Sequence, residues 1–189
     1  MEKLFQYSLF AIFEQRKTLA VREVENLERS ILRGPTLEGL LQEIAAKHEL
    51  DVAHFQGEVV AKRRIEERDV SDGFGGHHHV KEPWLDVSVP FVGDADSFRI
   101  ASSNCSIPDR RVRIGQNQLV ISVRDDDGAD AAIETFKSIV SGNLRTLQSE
   151  ARQMKSQLEQ AIRQAADRRR AEVDAQDERD KSRSFRVIN

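Results

Sequence analysis

Three consecutive histidines, His77, His78 and His79, are the residues most able to do chemistry by type alone, because imidazole ligates zinc, nickel and iron. Asp69, Asp72, Glu82 and Asp86 are close in sequence and could complete a set. In an extended chain adjacent side chains point to opposite faces, so at most two of the three histidines share one ion. The neighbouring Gly73, Gly75 and Gly76 leave the backbone free rather than fixed. A polar loop, Ser71 to His79, is therefore expected, and no cofactor. The single cysteine, Cys105, lies before Pro108 with no basic neighbour to lower its pKa, and it excludes an internal disulfide. Neither Gly-x-x-x-x-Gly-Lys-Ser/Thr nor Gly-x-Gly-x-x-Gly occurs, so a phosphate cradle lacks support.

Three basic clusters remain: Lys62-Arg63-Arg64, Arg110-Arg111 with Arg113, and Arg168-Arg169-Arg170. Each has acidic neighbours, and 29 Lys and Arg against 32 Asp and Glu give a net charge of −3, which argues against coating nucleic acid by bulk charge. If Lys62, Arg63, Arg64, Arg110, Arg111 and Arg113 shared one sheet face, they could hold phosphate, which makes a nucleic-acid-binding accessory protein the first alternative. A metal-dependent enzyme using His77, His78 and His79 is the second.

The elements that must position these residues read as an α+β chain. Phe5, Leu9, Phe13, Ala20, Val24, Leu27 and Ile31 recur at helical spacing over residues 2–32, interrupted by a polar turn around Arg16; Gly34 and Pro35 stop that helix, and Thr36 opens a second with Leu37, Leu40, Leu41 and Ile44 as its apolar stripe. Together they form an N-terminal helical hairpin. From Leu50 the period changes to short, β-branched segments: Val52 to Phe55, Glu58 to Ile65, Trp84 to Val89, Phe98 to Ala101, Arg111 to Ile114 and Leu119 to Val123. Gly115 to Gln118 joins the last two as a hairpin, and a small antiparallel sheet of four or five strands follows.

After Gly128 the pattern turns helical for about 50 residues, roughly 75 Å. Asp127 is placed to cap this helix. Leu144, Leu147, Ala151, Met154, Leu158, Ala161 and Ala165 step by alternating threes and fours, which is a short heptad seam. Beyond Ala166 a solvated or frayed end is expected. The chain thus divides at about residue 126, with the hairpin and sheet before it and the long helix and polar tail after it.

The stretch Val89-Pro90-Phe91-Val92-Gly93-Asp94-Ala95-Asp96-Ser97-Phe98 resembles the apolar-Pro-Phe-x-Gly-Asp-x-x-x-Phe signature of a family of uncharacterised bacterial proteins of about 200 residues. The order of elements around it is similar, and the histidine-rich loop departs from it. The resemblance implies this architecture and carries no established activity.

With no catalytic constellation, the reading is a non-catalytic oligomerising or accessory subunit of a bacterial complex. Its interface residues are expected to be Leu144, Leu147, Ala151, Met154, Leu158 and Ala161 of the seam, with Phe5, Leu9, Phe10 and Phe13 of the N-terminus. Its partner is itself or another protein. The apolar start is too short to cross a bilayer and lacks signal-peptide flanks, so a cytoplasmic location is expected.

Overall fold

The computed structural model describes residues 1–71, 77–108 and 110–183. Two compact units form, and the helix α4 (Ala129–Lys181) runs through both. The first comprises Met1–Leu9 with Asp51–Glu150, the second Phe10–Leu50 with Ala151–Asn189. This division differs from a cut near 126, because the two halves of α4 bury their apolar stripes in different cores.

In the first unit the sheet contains β2 (His54–Phe55), β3 (Val60–Ser71), β4 (His77–Val92), β6 (Val112–Ile114) and β7 (Gln118–Arg124), all antiparallel. β4 is central, with β7 and then β6 on one side and β2 and β3 following one another on the other. Alternation decides the faces. Val87, Val89 and Phe91 of β4, Leu119, Ile121 and Val123 of β7, and Val112 of β6 are all buried on one side. Register sets Val87 opposite Ile121 and Val89 opposite Leu119, so the apolar rows coincide. Ala129, Phe136, Val140, Leu144 and Leu147 of α4 are buried in this unit too. Buried Asn143 holds the segment before β6 at both backbone groups of Ser106, accepting from its N–H at 3.1 Å and donating to its carbonyl at 2.6 Å.

Residues 2–8 correct the expectation of a helix from residue 2. They are non-helical, with a bend at Leu4 and Phe5: Glu2 bridges Val112, the Phe5 amide donates to the Phe98 carbonyl and the Gln6 amide to the Arg99 carbonyl, both at 2.8 Å, and β1 (Tyr7–Ser8) pairs parallel with β5 (Ile100–Ala101). Backbone bonding to these strands and burial of Leu4 and Phe5 outweigh the apolar periodicity. Phe5 takes φ 56, a left-handed conformation costly for a bulky residue, and its buried ring and bonded amide hold it there. In the turn before α4 the carboxylate that accepts an amide is that of Asp126, from Gly128 at 2.9 Å.

The second unit is helical: α1 (Leu9–Glu25), continuous through Arg16, then α2 (Arg29–Leu32), α3 (Leu37–His48) and the later part of α4. Thr36 precedes α3, but its hydroxyl makes no capping bond. Ala20, Val24, Leu32, Leu37, Leu41 and Ile44 pack with Leu158, Ile162, Ala165, Ala166 and Val173 in one core. The end of α4 is not frayed. Val173 is buried, Arg170 donates to the Leu32 carbonyl at 2.7 Å, and Arg33 bridges Asp174 and Asp177. These long-range partners were invisible to a scan for local periodicity. No helix among the described residues is long and apolar enough to cross a membrane.

Candidate functional site

The Pro-Phe-x-Gly-Asp motif is a packing device. Phe91 and Phe98 meet edge to face at 4.7 Å, and Phe55 stacks on Phe98 at 6.0 Å. Gly93 has φ 102, and a Cβ there would lie 2.8 Å from the Ala53 backbone, so both conformation and space demand glycine. Asp94 caps the short 3-10 helix Ala95–Arg99 by accepting from the Asp96 amide at 2.9 Å. Buried Ser97 accepts from the Ala53 amide at 3.1 Å. Phe91, Gly93, Asp94, Ser97 and Phe98 of this stretch thus each have a structural task.

The basic residues are divided rather than pooled. Lys62 and Arg64 lie on the open face of the sheet, in register with Asp86 and Trp84, while Arg63 lies on the other face. Arg64 donates to Asp86 at 3.1 Å and to Glu66 at 2.9 Å, and its guanidinium sits 5.6 Å from the Trp84 ring centre. Arg63 pairs with Asp125. Arg113 is on the open face opposite Val120, and Arg110 donates to the Ser122 carbonyl at 3.2 Å. Arg110 and Arg111 together line an open groove of about 650 Å³ with Lys3, Phe5 and Ile107. Local acids offset this field, which weakens it as a phosphate footprint.

Asp86 is the centre of the open-face network. The Ser122 hydroxyl donates to it at 2.6 Å, and this bond, with Arg64 beside it, holds its carboxyl below the usual range against the opposing effect of burial. A depressed folded-state pKa contributes stability above the unfolded value of about 4 and loses it as the folded carboxylate protonates. Asp86→Asn is therefore expected to cost about 1 kcal/mol at neutral pH, with the deficit shrinking below about pH 4. Urea midpoints of both proteins across that range check this; a deficit independent of pH would contradict it.

His77 is the first residue of β4 and His78 follows it in the strand; their side chains lie outside the described residues. The expected loop Ser71 to His79 is thus corrected at its ends, since Ser71 pairs with His77 and Asp69 with His79, while residues 72–76 lie outside the described residues. The His79 ring nitrogen Nδ1 also meets the Asp69 carboxylate across the two strands. Among the described residues no three His, Cys, Asp or Glu side chains are grouped to hold a metal. Cys105 is half-buried, and burial pushes its thiol pKa up, away from an activated nucleophile.

Of the residues expected at an interface, Leu144 and Leu147 are spent in the first unit's core, and Leu158 in the second's. Ala151, Met154 and Ala161 are half-exposed. Leu4, Phe5 and Leu9 are buried, Phe13 packs on the second core, and Phe10 is 64% exposed.

What sequence reasoning missed is an arm. β7 pairs with β4 only as far as Trp84, yet β3 and β4 continue together from the Ile65–Pro83 pair to Ser71–His77. Lys81 bridges Glu67 at 3.1 Å and Arg68 approaches Glu82 at 3.8 Å across the two strands. Ile65, Val70 and Val80 stay exposed on it. The signal was cross-strand charge matching, which is legible only once the register is known. Comparison of the chain with protein-family models, curated proteins and solved structures gives no match.

Proposed function

We propose that this chain is a non-catalytic, self-associating or accessory subunit of a protein complex, and that it associates through the β3–β4 arm. The observation that carries this reading is the arm itself: a two-stranded extension beyond the third strand, exposing Ile65, Val70 and Val80. An isolated two-stranded ribbon is marginal in water, so its length is of little use to the unit's own core. Exposed β-branched residues on it serve contact with another chain.

The test replaces residues 67–81 with a two-residue Asn-Gly turn in the full chain. Thermal unfolding is expected to stay within a few degrees of the parent, because the arm adds little buried area. The mass by light scattering is expected to fall to that of a single chain. A shortened variant with the parent's associated mass would overturn the arm as the surface.

A further inference from the structure

We propose that β3 is a self-complementary edge, on which a second copy of this chain pairs antiparallel about a two-fold axis at Ile65. This deepens the reading above and rests on it, since it names the partner that the arm receives.

β3 is hydrogen-bonded to β4 on one side, and among the described residues no strand lies on the other. A free edge of 12 residues is a template for another strand. Charge usually blunts such an edge, but here the charge is ordered. Lys62, Arg63 and Arg64 precede Ile65, while Glu66, Glu67 and Asp69 follow it, with Arg68 the exception. A parallel copy in register would set like charges side by side, whereas an antiparallel copy sets basic against acidic.

Placing Ile65 opposite its own symmetry mate fixes the register. Arg63 then faces Glu67 of the second copy and Arg64 faces Glu66 of the second copy, each twice by symmetry. Val60 faces Val70. Lys62 against Arg68 is the like-charge pair in this alignment. Val60, Ile65 and Val70 are 60%, 66% and 46% exposed in the single chain, and this one register covers all three. A slip of one residue would set Ile65 against Glu66 and turn every side chain to the wrong face. Within one chain Arg63 already pairs with Asp125, Glu67 with Lys81, and Arg64 with Glu66 and Asp86; of Arg63, Arg64, Glu66 and Glu67, Arg63 and Glu67 are the most exposed and stay accessible to a second copy.

Charge reversal in the full chain tests the pairing by sedimentation. R63E sets an acid against Glu67, and E67R sets a base against Arg63, so each is expected to weaken the dimer by about tenfold or more. Mixing R63E with E67R, or joining both changes in one chain, is expected to restore it. Within one chain the double reversal brings like charges against Asp125 and Lys81, so rescue cannot arise there. A wild type that is monomeric at every concentration, single reversals that associate like the wild type, or a double reversal no better than the singles would each overturn self-pairing. If shortening the arm abolishes association while the reversals leave it intact, self-pairing fails and the arm still stands as the surface; if shortening changes nothing, the reading beneath it fails.

Discussion

Phe98→Ala is expected to cost about 3–5 kcal/mol, the usual range for removing a fully buried aromatic ring. Phe98 has no exposed surface, lies between Phe55 and Phe91, and carries the carbonyl that accepts from the Phe5 amide at 2.8 Å. Its loss opens a cavity where the sheet, the 3-10 helix and the N-terminal segment meet. Against a total stability of about 5–15 kcal/mol, that removes a large share from one position. Urea unfolding with an unchanged slope checks it, and a loss below about 1 kcal/mol would contradict the packing described.

The second large effect separates cores from surfaces along α4. Leu147→Glu and Leu158→Glu each put a carboxylate at a position at most 3% exposed, in the first and the second unit respectively. An unpaired buried charge is expected to cost more than about 4 kcal/mol, enough to unfold the unit that holds it. Met154→Glu, between them and half-exposed, is expected to cost at most about 1 kcal/mol. Circular dichroism melts of the three variants check this contrast. If all three folded like the wild type and merely lost mass, the apolar stripe of α4 would be an interface between chains rather than the inside of one.

That stripe shows what the sequence could and could not disclose. The spacing of Leu144, Leu147 and Leu158 marks a helix with one apolar side, and the helix is there. The same spacing cannot say whether the side chains covering Leu158 come from another chain or from Ala20, Val24 and Leu41 of this one. Ile162 shows the limit directly: it is buried, while Ala161, the residue that fits strict heptad steps, is half-exposed. Alternation in β4 and β7 was legible because one face is covered and the other is not. It fails in the arm, where among the described residues neither strand has a third neighbour, and polar residues such as Glu66, Glu67 and Asp69 fill the strand. Residues 2–8 were misread for a related reason. Apolar side chains at Leu4 and Phe5 require burial, and a bent segment bonded to the Phe98 and Arg99 carbonyls supplies it as well as a helix does.

Function was less legible than fold because the richest clusters by residue type are consumed by structure. The Pro90 to Phe98 signature packs, Arg64 is bound to Glu66 and Asp86, and Arg63 pairs with Asp125. The surface proposed for association is defined by register rather than by a motif, and register becomes visible only when β3 is laid against β4.

Hydrogen exchange on the intact chain at rising protein concentration tests association through the arm most directly. Amides on the free edge of β3 are expected to exchange quickly when dilute and to become protected as concentration rises, while amides of Leu119, Val120 and Ile121 in β7, already flanked by β4 and β6, stay unchanged. Arm amides that exchange at one rate at every concentration, with new protection appearing along α4 instead, would contradict the account.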